Sequence, residues 1–219
     1  MNFFSSIGKK FIMGSTGIIL LLFVIVHLIG NLGIYIGANK FNSYAEFLKS
    51  IPSIVYFIRI FLLICFLLHI SMAILLSKNN KLSRPIGYDA VYTITFASST
   101  MLISGSTVLL FFMFHISHLT LGYIYPNVYL LKDSFGRHDV YSMTILSFQH
   151  IWISILYIIA QMFIGMHILH GFYSAIQTFG LTSYKYIKLT KIIGNILALS
   201  IFICYSSIPI SVLLGIIKI

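Results

Sequence analysis

The chain is expected to be an all-α integral membrane protein, a bundle of five transmembrane helices with its N-terminus cytoplasmic. Three observations predict it. Of its 219 residues, 59% are hydrophobic and only 8% charged, with mean hydropathy +1.00, outside the range of soluble domains. Five apolar runs of spanning length follow one another, at approximately 11–37, 54–77, 91–119, 150–180 and 192–217. None shows the alternation of a barrel strand, and an open sheet cannot span lipid, so the runs are helices.

The first run is too long for a cleaved signal peptide; it contains His27 and Asn31, and no small-residue cleavage site follows. The second is bounded by Pro52 and by a polar stretch from Lys78 to Pro85. The third precedes the longest connection, 120–149, a mixed segment with Pro126 and His138 that is expected at the interface. The fourth opens at His150, a short basic connection at 181–191 leads on, and the fifth tolerates Pro209 as a kink. There is no internal repeat and no polar stretch large enough for a soluble catalytic domain, so residues 1–219 form a single membrane domain.

The formal charge of +10 is not read as nucleic-acid binding, because the cations lie in short loops where they orient a membrane protein. With the N-terminus inside, Lys9, Lys10, Lys78, Lys81, Arg84, Lys185, Lys188 and Lys191 are inner, against the single acid Asp89. Lys40, Lys49, Arg59, Lys132, Arg137 and Lys218 are outer, offset by Glu46, Asp133 and Asp139. Eight inner cations against six, with Lys9 and Lys10 leading the first helix, favour that orientation. Cys65 and Cys204 lie apart in apolar runs and read as small buried hydrophobes.

The chemistry is carried by histidine. His27, His69, His115 and His167 lie one apiece in the first four runs, and an imidazole in hydrocarbon needs a partner. At about 1.5 Å per residue, His27 and His115 fall in the outer half, His69 and His167 in the inner half. Two haems stacked across the bilayer, each held by two imidazoles, would satisfy all four. His118 and His170 each lie three residues beyond one of these and share its helix face, so either could replace its neighbour as ligand or support the haem without binding iron. Interhelical hydrogen bonding by independent histidines, or a histidine-lined metal pathway, is the competing reading. The second usually brings intramembrane carboxylates, and all four acids here lie outside the spans. Gly14, Gly17, Gly30, Gly105, Gly165 and Gly171 would admit a planar cofactor or simply close helix packing.

These residues carry a family resemblance over essentially the whole length. SIGKKFIMG at 6–14, HLIGN at 27–31, FNSYAEFLKSIP at 41–52, LHISMA at 68–73 and the Phe114–His115 pair occur in order, and HILHGFYSAIQTFG at 167–180 is the most specific match. The chain resembles the cytochrome b558-type membrane subunit of succinate dehydrogenase and fumarate reductase, the five-helix di-haem class. The resemblance implies two haem b groups, the outer on His27 and His115, the inner on His69 and His167, with His118 and His170 in supporting positions.

It further implies a succinate:quinone oxidoreductase complex in the bacterial inner membrane, in which this chain anchors an FAD-containing flavoprotein and an iron–sulfur subunit. The chain would pass electrons between them and a membrane quinone such as menaquinone, and would bind no succinate itself. Glu46 and Arg59 are the candidates for an outer quinone site, where electron flow would feel the membrane potential at about 2.3 kcal/mol per charge per 100 mV. The di-haem subunit of another quinone-linked reductase is the alternative of the same class, a metal transporter that of a different one. Direction, quinone type and any higher oligomer of the complex are not set by these residues.

Overall fold

The computed structural model describes residues 5–82, 100–183 and 185–219. Over these the chain is helical, without a β-strand, and five helices are long and apolar enough to cross a membrane. It is a multi-pass membrane protein. Helix α1 spans Ser6–Leu32 and continues as a 3-10 turn over Gly33–Ile36; α2 spans Ala38–Ser50 and α3 Pro52–Leu82. Helix α4 spans Met101–His115 and widens into a π-helical turn at Ile116–Thr120. Short helices α5 (Pro126–Tyr129) and α6 (Val140–Gln149) follow, then α7 (Ile151–Thr178) and α8 (Ile187–Leu213). The spanning helices are α1, α3, α4, α7 and α8. The segment 91–99, expected to begin the third span, lies outside the described residues, as do Arg84 and Asp89.

Local chemistry sets the ends. Ser5 caps α1, its hydroxyl accepting from the Gly8 amide at 3.1 Å. Pro52 opens α3, where its missing N–H costs nothing. Gly37 turns the chain between α1 and α2 at φ +110°, a value that disfavours any side chain. Pro209 sits inside α8, as the sequence indicates.

Faces follow the usual membrane logic. Leu22, Val26 and Ile29 on α1 and Phe57, Ile60, Ile64 and Leu67 on α3 recur at three- and four-residue spacing and are exposed, the disposition of surfaces solvated by lipid. Packing is most extensive between α7 and α8. There Gly165 lies so close that a Cβ would stand 3.4 Å from the Ala198 carbonyl oxygen, and Gly194 admits the Phe172 ring.

Two connections are more structured than the sequence indicates. The run at 41–52 resembles an outer loop, yet most of it belongs to α2, which buries Phe41 and Asn42. The 120–149 connection contains α6, whose Ile145 and Phe148 join Ile34, Phe41, Ile153, Tyr157, Ile208, Val212 and Ile217 in one apolar core. That core closes the bundle at the end carrying 33–51 and 120–150, called the loop-rich end below.

A polar clasp holds this end. The buried Asn42 amide nitrogen donates to Asp139 Oδ1 at 2.9 Å and to Asp133 Oδ2 at 3.3 Å, while its oxygen accepts from the Tyr141 amide at 3.0 Å. Arg137 donates to Asp133 through Nε at 2.8 Å and to Ser43 and Asn39 through its terminal nitrogens. The clasp tethers α2 to the start of α6.

Candidate functional site: two interhelical imidazole pairs

The four intramembrane histidines meet in twos. His27 on α1 faces His115 on α4, ring centroids 6.0 Å apart and planes crossed at 83°. His69 on α3 faces His167 on α7 at 6.2 Å and 70°. These are the two couples that depth along the membrane normal singles out. None of the four rings is fully buried.

The levels can be placed on three helices independently. His69 lies against Gly17 and His167 against Gly105, so residues 17, 69, 105 and 167 share one level. Tyr157 contacts His115, so 27, 115 and 157 share the other. From 17 to 27, from 105 to 115 and from 157 to 167 is ten residues each time, about 15 Å at 1.5 Å per residue. The His27–His115 pair is nearer the loop-rich end.

At the other level the proton positions follow from the partners. His69 Nδ1 lies 3.1 Å from the Met13 carbonyl oxygen, which can only accept. His69 therefore carries its proton on Nδ1, and Thr16 Oγ1, whose own hydrogen is directed at Ile12 O or Met13 O, sits 3.3 Å away as a second acceptor. His167 Nδ1 lies 3.4 Å from Ser104 Oγ, and Ser104 already donates to the Met101 carbonyl at 3.0 Å. In both neutral rings Nδ1–H is engaged and the Nε2 lone pair is left to bind something else.

At the loop-rich level the arrangement differs. His115 Nδ1 is 3.2 Å from the Tyr157 hydroxyl, and His118 Nδ1 is 2.9 Å from the same oxygen. The π-helical turn begins directly after His115 and contains His118, a local widening common at functional sites. The His27 ring makes no hydrogen bond to the protein among the described residues and is held by stacking on Phe23, centroids 5.4 Å apart and 17° from parallel.

The remaining candidates are placed as follows. His118 is buried, 3% exposed, and packs on Phe114, Tyr125 and Tyr157 rather than opposite a second imidazole at metal-spanning distance. His170 is half-buried on α7, one turn from His167. Glu46 is exposed on α2 and lines a shallow pocket with Lys49, Tyr129 and His138. Arg59 is exposed on α3 with its guanidinium 5.8 Å from the Tyr56 ring centroid. No hydrogen bond or ion pair joins Glu46 to Arg59 among the described residues. His138 and His150 lie outside the pairs; His138 Nε2 donates to the Tyr129 carbonyl at 2.7 Å, and His150 stacks on Tyr125.

Of the six glycines, Gly17 and Gly105 back histidines. Gly14 packs on Phe179, Gly30 on Tyr44, Gly165 on α8 and Gly171 on Met101. Tyr157 was not a candidate from sequence; a tyrosine within an apolar run reads as bulk, and only its hydroxyl contacts reveal its position.

The donor sets are suited to a metal held between two imidazoles. An imidazole nitrogen binds a metal at about 2 Å, so two imidazoles on opposite sides of one iron stand with their centroids roughly 6 Å apart. Both pairs have that spacing. Among the described residues no group of three or more His, Cys, Asp or Glu converges to hold a metal ion, so the donors come as couples.

No protein-family model, no curated protein and no solved structure matches this chain.

Proposed function

We propose that the chain is the di-haem cytochrome b membrane subunit of a succinate:quinone oxidoreductase, succinate dehydrogenase or fumarate reductase. It anchors a flavoprotein and an iron–sulfur subunit and passes electrons between them and a membrane quinone such as menaquinone. The observation that carries the reading is the pair of imidazole couples, 6.0 and 6.2 Å between centroids, stacked about 15 Å apart along the bundle.

In this reading His69 and His167 hold one haem b, and His27 and His115 the other. Each haem supplies a one-electron redox centre when bound, with a potential set by its axial imidazoles and their hydrogen bonds. The chain contributes ligand orientation. Met13 and Ser104 fix His69 and His167 with Nε2 free, Tyr157 fixes His115, and the glycines at 17 and 105 make room behind two of the rings. Apolar helices together with the surrounding lipid would keep water from both levels.

The loop-rich end is taken as outer and the α1 N-terminus as cytoplasmic, in a bacterial inner membrane. Lys9, Lys10, Lys78, Lys185, Lys188 and Lys191 then form a cytoplasmic rim suited to anionic lipid and to the docking of the two soluble subunits. Glu46 and Arg59 lie toward the outer face, where a quinone headgroup would enter from lipid.

The test is purification from native membranes in mild detergent. The reading predicts a co-purifying flavin-containing and an iron–sulfur-containing polypeptide, and a b-type absorbance band that succinate reduces. A haem protein reduced only by another donor would make it the subunit of a different quinone-linked reductase.

A further inference from the structure

The Tyr157 phenol, set between His115 and His118, does more than fill a packing contact. Tyr157 is 5% exposed, and its hydroxyl lies within hydrogen-bonding distance of both His115 Nδ1 and His118 Nδ1. A phenol has a single proton. These two nitrogens are the hydroxyl's partners among the described residues, so its one hydrogen goes to one of them; that imidazole accepts at Nδ1 and the other donates there, which ties the proton positions on the two histidines together.

A second observation shows where the chain of bonds ends. His118 Nε2 is buried and has no partner among the described residues, although the ring is otherwise enclosed by Phe114, Tyr125 and Tyr157. An unmade hydrogen bond at a buried polar atom is costly, about 1–3 kcal/mol, and such an atom points to a missing ligand.

We propose that Tyr157 sets the protons of His115 and His118 together and thereby makes His118 a donor to an oxygen of a bound ligand. The inference rests on the di-haem reading. With His115 binding iron through Nε2, its proton is on Nδ1 and donates to the phenol oxygen. The phenol must then donate to His118 Nδ1, which leaves His118 as the Nε2–H tautomer. The unpartnered atom is thus a donor, and its partner is an acceptor: a haem carboxylate or a quinone carbonyl. Tyr157 is a positioning residue that acts through His115, since accepting from Nδ1–H makes that imidazole more electron-rich and favours oxidised iron.

The test is an optically followed redox titration of the purified complex carrying Tyr157→Phe, His118→Phe or both. Tyr157→Phe is expected to retain two haems and to raise the midpoint potential of the loop-rich-level haem alone. His118→Phe should give a smaller rise, because a phenol that donates is a better acceptor, and should add nothing in the Tyr157→Phe background. Unshifted potentials in Tyr157→Phe, equal shifts at both haems, or additive effects of the two changes would overturn the relay.

The donor role is read in His118→Phe by two affinities. About a tenfold rise in Kd for a soluble naphthoquinone assigns the acceptor to a quinone carbonyl. Faster loss of the loop-rich-level haem to apomyoglobin assigns it to the haem carboxylate. Neither change would overturn it. A wild-type complex without haem would instead sink the underlying reading.

Discussion

The two imidazole pairs have nearly the same spacing but are built from different materials. At the His69–His167 level both rings donate to partners that can only accept, or whose own hydrogen is already directed elsewhere: the Met13 carbonyl and the Ser104 hydroxyl. At the His27–His115 level one ring meets a phenol that can donate or accept, and the other is held only by aromatic packing. The first pair has its tautomers fixed by the polypeptide alone. The second leaves a proton whose position depends on what His115 binds. A rigid site and an adaptable one thus occur in the same bundle, about 15 Å apart.

The largest effect that would probe this comparison is removal of a ligand. His167→Ala should lose the haem at its own level and keep the other, and His27→Ala the reverse, read as haem per polypeptide and as the loss of one of two redox transitions. Loss of both haems from either variant would show that the levels are not independent.

Next come the glycines behind the rigid pair. A Cβ at Gly17 would lie 3.1 Å from His69 Cε1, whereas one at Gly105 would lie at an ordinary 3.4 Å from His167 Cε1. Overpacking costs about 1–3 kcal/mol, so Gly17→Ala should weaken haem retention at that level about tenfold, and Gly105→Ala by no more than about twofold. Equal effects would mean that the His69 ring can shift freely.

A third prediction separates the sites from the clasp that closes the loop-rich end. Asp139 caps α6 by accepting from the Ser142 amide at 3.0 Å and also accepts from Asn42. Asp139→Ala should cost about 1–2 kcal/mol, seen as a lower thermal midpoint with both haem potentials unchanged.

Partial burial raises the Asp139 pKa, but hydrogen bonds from Ser142 and Asn42 outweigh it and hold the carboxyl below its ordinary 3.8. A lowered folded pKa contributes stability that is present above the unfolded value and lost as pH falls through the folded one. The clasp should therefore weaken on acidification below pH 3.8, and Asp139→Ala should remove that part of the acid sensitivity.

The smallest effect is expected at Ser104. Ser104→Ala removes one neutral hydrogen bond from His167, worth about 0.5–1.5 kcal/mol. It should raise only the potential of the haem at the His69–His167 level, slightly, with no change in haem count.

The reason the pairs could be anticipated lies in the membrane itself. Spanning helices run nearly parallel to one axis, so residue number along a run translates into depth, and depth alone groups His27 with His115 and His69 with His167. The five spans were legible for the same reason: long apolar runs have no alternative in lipid.

What the sequence did not show lies at the loop-rich end, where polar and apolar residues mix and no single period dominates. Residues 41–52 read as a loop although α2 forms there, because its inward face is little more than Phe41 and Asn42. α6 was hidden because its buried Ser142, Thr144 and Ser147 resemble connection sequence. Tyr157 escaped because a side-chain hydroxyl linking two histidines 39 and 42 residues away leaves no periodic trace.

The most direct test of the account is a pyridine haemochrome assay on the purified polypeptide, counting b-type haem per chain. Two imidazole couples, each with the spacing of a metal-bridged pair, predict two haems. A value of one would mean that one couple is structural, and a protein made with ample haem that carries none would contradict the account.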